Sequence, residues 1–364
     1  MTRARLRDLG ITIGRLPTGR YNAITDVSGV WVGHSTLVAD DPRVARTGVT
    51  VVLPREDGIR DDYAFAGYHR FNGNGEMTGL PWIEESGLLT SPVAITNTHQ
   101  VGVVRDALIE YELRQHEGAG WRLPVVAETW DGFLNDINAF HLTKAHLFEA
   151  MADAKSGPVA EGNVGGGTGM ICHGFKGGIG TSSRVVSVVG DAYTVGVLVQ
   201  SNYGARRDLR VDGVPVGREI DAQRVPLPWS KPVQSSSIIV IIATDAPLLP
   251  VQCNRLAQRA TVGLARVGGR GYNSSGDIFL AFATGNHVPS ESALAFDKGP
   301  GKPIDLHMLP HNQLDPFFDA VAEATEEAIL NALTAAETMV GFKGRVAHAL
   351  PLDELRQVMK KYGH

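Results

Sequence analysis

Short runs of β-branched and other apolar residues, each bounded by turn residues, recur along the chain and predict β-strands. The seven clearest runs cover residues 48–54, 91–98, 123–129, 184–190, 193–202, 236–245 and 276–285. Two of these runs meet at Gly190-Asp191, a pair typical of a hairpin turn. Several runs are apolar on both faces, so we expect sheets that are covered on both sides.

Apolar residues recur at helical spacing in four further segments. These segments cover residues 103–117, 143–154, 249–268 and 315–340. The predicted strands and helices alternate without regular βαβ order, which favours an α/β fold of sheets packed between helical layers. The length of 364 residues suggests two domains as a prior, although one large layered fold could hold the whole chain.

Residues 222–236 form a connector with three prolines and no periodicity, and they run directly into the most apolar predicted strand. Such composition is typical of an ordinary exposed loop. A strained junction at the head of a buried strand is the alternative. Composition alone leaves both open.

The charge balance excludes some classes of partner. There are 34 Lys and Arg residues against 39 Asp and Glu, a formal net charge of −5, which gives no electrostatic footprint for nucleic acid or an anionic membrane. The charged N-terminus is not followed by the apolar stretch of a secretory signal, and no apolar run is long enough to span a bilayer. These features predict a soluble, cytoplasmic protein.

Glycine is enriched, with 42 residues, nine of them between positions 161 and 180. That density indicates backbone that turns tightly or is approached closely. A phosphate-binding Walker loop is absent because no Gly-Lys is followed by Ser or Thr. A dinucleotide fingerprint should open a helix, but more glycine and then a predicted strand follow residues 165–169, so nucleotide binding is rejected.

The histidines and cysteines do not form a recognisable metal or thiol site. Only His307 and His311 stand four residues apart, and Pro310 between them favours a loop over a helix. Cys172 and His173 are adjacent, so on a strand they would point to opposite faces and could not form a nucleophile–base pair. Two cysteines in all also exclude a disulfide framework and a four-cysteine zinc site, and we expect neither metal nor cofactor.

Serines cluster at the heads of two predicted strands, at Ser235-Ser236-Ser237 and at residues 273–277. One interpretation is a pair of polar strand caps. The other is chemical: if the peptide bond before Ser237 is cut, that serine gains a free α-amine beside its own hydroxyl. An α-amine has a pKa of roughly 7.7–8.0, so it can act as a general base without any histidine.

Eight segments of the chain resemble one known family. They are NGNGEMTG (72–79), TNTHQVG (96–102), AETWDGFLND (127–136), GNVGGGTGM (162–170), KGGIGTSSR (176–184), VQSNYG (199–204), SIIVIIATDAPL (237–248) and SGDIFLAFAT (275–284). The family is DmpA/BapA, peptidase family S58, which comprises self-processing L-aminopeptidase/D-esterases and β-peptidyl aminopeptidases. The likeness runs from about residue 8 to the C-terminus.

The resemblance implies a single hydrolase domain over residues 1–364 with a four-layer αββα sandwich. That architecture is similar to N-terminal-nucleophile hydrolases but has different strand connectivity. It also implies a precursor that cleaves itself into residues 1–236 and 237–364, and a homotetramer of these α/β pairs. No cofactor is implied, and the substrate would be a short peptide or an aminoacyl amide.

The resemblance also implies roles for the residues that match the family's motifs. Ser237 would be the new N-terminus and the nucleophile, attacking the carbonyl of residue 236 during self-cleavage. Ser275 and Asp277 would orient the proton network around it. Asn202 would donate a hydrogen bond to the oxyanion.

Two residues would contact the substrate. Glu128 matches the carboxylate that pairs with the substrate's free ammonium, which would explain aminopeptidase action because only a chain end presents a cation there. Trp130 stands where some members carry a tyrosine with a catalytic hydroxyl. An indole has no hydroxyl, so Trp130 is expected to wall the pocket, with plain core packing as the alternative.

The residue before the cut departs from the family. Relatives usually carry glycine or asparagine there, whereas this chain has Ser236. A Cβ at a junction that needs unusual backbone angles costs energy, so we expect slow, incomplete or shifted cleavage. The cut could even precede Ser236, although the distance from Ile238 favours Ser237.

The resemblance therefore predicts a serine aminopeptidase or amidase that releases small N-terminal residues (L-α, D- or β-amino acids) from short peptides, amides and esters. One alternative is an acyltransferase of the ornithine acetyltransferase type, which uses a threonine nucleophile. The other is an unprocessed, non-catalytic relative, a reading that only Ser236 favours.

Overall fold

Two β-sheets lie face to face in the computed structural model, which describes residues 3–56, 58–115, 121–188, 190–229, 236–293 and 301–364. The strands are β1 Trp31–Ala39, β2 Ala45–Leu53, β3 Asp62–Arg70, β4 Leu88–Leu89, β5 Val93–Asn97, β6 Val125–Thr129, β7 Ile171–Cys172, β8 Phe175–Lys176, β9 Gly178–Val188, β10 Asp191–Asn202, β11 Ser236–Thr244, β12 Ser275–Pro289, β13 Met339–Val340 and β14 Val346–Ala347. The helices are α1 Leu80–Ser86, α2 Val101–Gln115, α3 Lys144–Asp153, α4 Val216–Glu219, α5 Pro250–Val267, α6 Ser290–Ala293, α7 Asp315–Ala335 and α8 Leu352–Lys361.

The larger sheet has the strand order β4-β3-β12-β11-β10-β9, and the smaller has the order β1-β2-β5-β6. Their neighbouring strands are antiparallel except at two places, β11 beside β12 and β5 beside β6. Every residue of β11 after the first is buried, which explains its uninterrupted apolar sequence.

Helices cover the outer face of each sheet. The helices α2 and α3 pack on the smaller sheet, and α5 and α7 pack on the larger one. The inner faces meet where β6 lies against β10 and β11. The result is the predicted four-layer αββα sandwich.

All seven predicted strands and four predicted helices are confirmed, with ends displaced by a few residues. The largest displacements are the start of β9, which precedes the predicted run, and the end of α7 at Ala335, where Ala336 turns to an extended conformation. The predicted hairpin is also present, with Val188 opposite Asp191 and Gly190 at φ +90°. Three longer elements, β1, β3 and α8, were not predicted. The short strands β4, β7, β8, β13 and β14 and the short helices α1, α4 and α6 were not predicted either.

The glycine-rich segment brings backbone close to the inner strands, as its composition predicts. At Gly165 an added Cβ would lie 2.3 Å from Thr50 Oγ1, and at Gly166 it would lie 2.1 Å from Gln200 Oε1. Neither position has room for a side chain. The density of glycine is explained by packing between the sheets.

The connector is described only as far as Trp229, whose ring packs edge-on against Phe133 with centroids 5.6 Å apart. Residues 230–235, which include Ser235, lie outside the described residues. The choice between an exposed loop and a strained junction therefore stays a prediction.

His307 lies in irregular structure and His311 begins a short 3₁₀ turn, so the predicted loop is confirmed. Cys172 and His173 do not pair, but for a different reason than expected, because His173 lies in a turn at φ +50° rather than on a strand. Cys172 Sγ contacts Ser201 Oγ at 3.3 Å, and burial raises the pKa of its thiol to about 12. Within the described ranges, no helix combines the length and apolarity needed to cross a bilayer.

Candidate active site

The parallel pairing of β11 and β12 brings the two serine clusters together. In this register Ser236 lies opposite Ser275, Ser237 opposite Gly276, and Ile238 opposite Asp277. Both strands begin at the same end of the larger sheet, so the polar residues at their starts lie together there, beside the apolar core. The sequence predicts each cluster separately, and the strand register joins them.

The hydroxyl of Ser237 is held between two backbone groups. It donates to Ser236 O, the carbonyl of the peptide bond before it, at 2.7 Å. It accepts a hydrogen bond from Gly276 N at 3.3 Å. The side-chain oxygen therefore lies beside the carbonyl group that it would attack in self-cleavage.

A second chain of hydrogen bonds runs from Ser236 to Asp277. Ser236 Oγ donates to Ser275 Oγ at 3.2 Å, and Ser275 Oγ donates to Asp277 Oδ1 at 2.6 Å. Ser236 is the first residue of β11. Its junction with Ser235 lies outside the described residues, so the cost that we expect its Cβ to impose on cleavage stays a prediction.

Asp277 is almost fully buried, with 2% of its surface exposed. Burial raises the pKa of its carboxyl, and hydrogen bonds from Ser275, from Asn72 and from the backbone of Ile238 lower it in part. The bond from Asn72 Nδ2 to Oδ2 is 3.2 Å long. These donors allow the carboxylate to stay ionised away from water, where it can orient the Ser275 hydroxyl.

Glu128 is the penultimate residue of β6, in the other sheet. One of its oxygens accepts a hydrogen bond from Glu76 N at 2.9 Å, and the other accepts one from Thr98 Oγ1. Burial raises the pKa of this carboxyl, and the same two donors lower it in part. Among the described residues no lysine or arginine forms an ion pair with Glu128, so the carboxylate can receive a cation from a ligand.

A loop that contains Gly75 packs between Glu128 and the serine cluster. At Gly75 an added Cβ would lie 3.0 Å from Gly276 Cα and 3.2 Å from Glu128 Oε1. The loop backbone thus fits between β12 and the Glu128 carboxylate. The predicted ammonium-binding residue and the predicted nucleophile therefore face the same small region.

Asn202 is the neighbour of Ser237 on the other side, in the antiparallel pair of β10 and β11. Its Oδ1 accepts a hydrogen bond from Ile171 N at 2.8 Å, and its Nδ2 donates one to Trp130 O at 2.9 Å. These two bonds fix the plane of the amide. In the part of the chain that the structure describes, the second N–H of Nδ2 has no hydrogen-bond partner.

The carbonyl oxygen of Trp130 accepts the hydrogen bond from Asn202, and the indole packs in a small apolar cluster. The cluster contains Phe133, Leu134, Ile171, Ala347, Trp130, Trp229 and Met339. The indole also lies over Gly132, where an added Cβ would be 2.7 Å from the ring. The ring is only half-buried, so packing accounts for one face, and a role in walling the pocket stays a prediction.

Several groups that build this site were not assigned roles in the sequence analysis. They are Gly276, Asn72, Gly75, Glu76 and Thr98. All lie inside segments that match the family. Most of them act through a backbone N–H group or through the absence of a side chain, which allows close packing. A pattern of side chains does not reveal either, because backbone donors carry no signature in the sequence.

Lys176 was also missed. Its ammonium is fully buried and donates to Gly177 O at 2.8 Å and to Gly167 O at 3.3 Å, and burial lowers its pKa to about 7. Through the hydrogen bond to Gly167 O, the Lys176 side chain links the glycine-rich segment to β8. In the described part of the chain, His, Cys, Asp and Glu side chains form no group of three or more that could hold a metal ion.

Comparison with known proteins identifies the family of this chain. The model of peptidase family S58 matches residues 22–347. The chain is 48% identical to the β-peptidyl aminopeptidase BapA of Sphingosinicella microcystinivorans, over 98% of this chain and 92% of that protein. The corresponding enzyme of Sphingosinicella xenopeptidilytica is 43% identical, over 98% of this chain and 91% of that protein.

Solved structures agree as well. A β-aminopeptidase from a Burkholderia species superposes with a TM-score of 0.93 at 52% identity, covering 99% of each chain. The L-aminopeptidase D-Ala-esterase/amidase of Ochrobactrum anthropi superposes with a TM-score of 0.91 at 45% identity, again covering 99% of each chain. The family match, the sequence identities and the shared fold together identify this chain as an aminopeptidase that belongs to peptidase family S58, the DmpA/BapA family.

Proposed function

We propose that this aminopeptidase activates itself by cutting the peptide bond between Ser236 and Ser237, and that Ser237 is then its nucleophile. The observation that carries the proposal is the 2.7 Å contact between Ser237 Oγ and Ser236 O. The contact places the hydroxyl beside the carbonyl group that it would attack, and this proximity favours the reaction.

The self-cleavage proceeds in two steps, an acyl transfer and a hydrolysis. Ser237 Oγ bonds to the Ser236 carbonyl carbon, the C–N bond breaks, and the hydroxyl proton passes to the nitrogen that becomes the Ser237 α-amine. Water then attacks the resulting ester, which returns the hydrogen to Ser237 Oγ and leaves Ser236 as a carboxylate chain end. The products are residues 1–236 and 237–364.

In the mature enzyme the α-amine of Ser237 takes the proton from its own hydroxyl as the hydroxyl attacks substrate. Ser275 and Asp277 lie on the adjoining strand, where they orient the amine and the hydroxyl. Asn202 offers its free N–H to the oxyanion, and one such donor is worth about 3 kcal/mol. The leaving amine takes the proton back before water hydrolyses the acyl-enzyme.

The substrate class follows from Glu128. A nearly buried carboxylate without a cationic partner favours a ligand with a free ammonium group, as at the N-terminus of a peptide, amide or ester. The relatives are named for β-peptidyl, L-amino and D-alanyl substrates, and we propose small N-terminal residues of these kinds. We further propose a cytoplasmic homotetramer of α/β pairs.

The two alternatives are less well supported. An acyltransferase of the ornithine acetyltransferase type would be expected to carry threonine at position 237, which is serine. A non-catalytic relative would have no need to collect Ser237, Ser275, Asp277 and Asn202 at one strand edge. Acetyl transfer to ornithine in excess of hydrolysis would favour the first alternative.

The test is the denatured intact mass of purified protein. Division of 39.0 kDa by residue share gives fragments of about 25 and about 14 kDa, the smaller beginning Ser-Ile-Ile. Ser237→Ala should abolish both the cleavage and the hydrolysis of aminoacyl amides. A single 39 kDa species that still hydrolyses these substrates would overturn the proposal.

A further inference from the structure

Ser236 has a defined hydrogen-bond partner for its side chain. Its hydroxyl donates to Ser275 Oγ at 3.2 Å, and Ser275 donates in turn to Asp277 at 2.6 Å. A glycine could not make this contact. The hydroxyl of Ser275 thus links Ser236 to the buried carboxylate of Asp277.

The backbone of Ser236 is restrained as well. Strand pairing sets Ser236 directly opposite Ser275, and its carbonyl oxygen accepts the hydrogen bond from Ser237 Oγ at 2.7 Å. The side chain and the carbonyl are therefore both held, on either side of the same Cα. Fixing both groups removes rotational freedom that would otherwise carry the carbonyl away from the attacking oxygen.

We propose that Ser236 is a positioning residue for self-cleavage, and that its hydrogen bond to Ser275 aims the carbonyl carbon of Ser236 at Ser237 Oγ. This inference rests on the self-processing proposed above and adds no covalent step to it. In this step Ser237 Oγ is the nucleophile, and Ser236 supplies the carbonyl group that is attacked. Once the chain is cut, the Ser275 oxygen becomes free to accept a hydrogen bond from the new α-amine of Ser237.

The experiment follows cleavage of the full-length chain over time by intact mass, starting from freshly translated protein. Ser236→Ala removes one neutral hydrogen bond and should slow cleavage roughly fivefold. Ser236→Thr keeps the hydroxyl and should cleave within about twofold of wild type. Ser187→Ala, the same change at an exposed position near the far end of β9, should cleave at the wild-type rate.

A double-mutant cycle separates positioning from a general structural effect. When Ser275 is already alanine, Ser236→Ala should cause no further slowing, because its partner is gone. Wild-type speed in Ser236→Ala, equal slowing in Ser236→Thr, or full slowing in the Ser275→Ala background would each overturn the inference. If wild-type protein never yields the two fragments, self-processing itself fails, which is a different outcome from cleavage that ignores Ser236.

Discussion

Gly276 lies directly opposite Ser237 across the parallel strands β11 and β12, and its N–H donates to Ser237 Oγ. The position has no room for a side chain, because an added Cβ would lie 2.5 Å from Asn74 O and 2.7 Å from Gly75 Cα. The glycine lets the loop of residues 72–76 lie directly on the strand. This contact sets the separation between Ser237 and the loop whose Glu76 N–H binds Glu128.

Gly276→Ala should therefore damage activity more than its size suggests. The new methyl group must push the loop outward, which moves the Glu76 N–H that binds Glu128. We expect kcat/KM for aminoacyl amides to fall at least tenfold and stability to fall by about 1–3 kcal/mol, as is usual for overpacking. Steady-state kinetics and urea unfolding measure the two effects.

Gly102→Ala is the matched control, since an added Cβ there meets nothing within 4 Å. It lies at the start of α2, where alanine is the better helix former, so stability should be unchanged or slightly higher. Wild-type kinetics in Gly276→Ala would contradict the role assigned to the loop.

Glu128→Gln tests recognition of the ammonium group. The amide keeps the shape of the side chain but removes its charge, so a charge-assisted hydrogen bond becomes a neutral one. We expect kcat/KM for substrates with a free amine to fall about 10- to 100-fold. Glu84→Gln, at an exposed glutamate bonded to Tyr68, should have no effect. Undiminished kcat/KM in Glu128→Gln would remove Glu128 from the substrate site.

The pH dependence of kcat/KM should steepen on the acid side. The α-amine of Ser237 must be neutral to act as a base, which alone gives a slope of one below about pH 8. Burial raises the pKa values of Asp277 and Glu128, so both carboxylates take up protons at a higher pH than ordinary carboxyls as the pH falls. Protonated Glu128 cannot bind an ammonium ion, and the slope should exceed one while the pH is still above about 4.3.

Steady-state assays between pH 4 and pH 9 measure this profile. In Glu128→Gln the profile should steepen less, because only one of the two carboxyls, that of Asp277, remains to titrate. A slope that stays at one down to about pH 4 would contradict the involvement of both carboxylates.

A buried ionic cluster joins β9 to α7 and should contribute to stability. Arg184 is fully buried between β9 and α7, with ion pairs to Glu323 at 3.0 Å and to Glu327 at 2.7 Å. Arg184→Met would leave these carboxylates without that partner, and we expect a loss of about 3–5 kcal/mol in urea unfolding. Arg224→Met, which removes a surface pair with Glu354, should cost less than about 1 kcal/mol. Equal losses of unfolding free energy in the two variants would show that the buried ion pairs stabilise the fold no more than the surface pair does.

Local sequence patterns predicted seven of the fourteen strands and four of the eight α-helices in the described part of the chain. The strands with β-branched apolar runs and the longer amphipathic helices were all found. The strand β3 was missed because its middle consists of small residues and aromatics, a composition imposed by α5: at Gly67 an added Cβ would lie 2.4 Å from Asn254 N. The helix α8 was overlooked although Leu352, Leu355, Val358 and Met359 are buried at helical spacing.

The sequence by itself determined which residues carry chemistry, since hydroxyl and carboxyl groups at the heads of strands and in the family's motifs can be read directly. Tertiary structure decided which of them meet. Ser236 faces Ser275, and Gly276 faces Ser237, only because β11 and β12 pair in parallel in one register. A shift of one residue would turn each side chain to the opposite face. Register and close backbone approach depend on contacts between segments distant along the chain, and a local pattern of residues does not specify them.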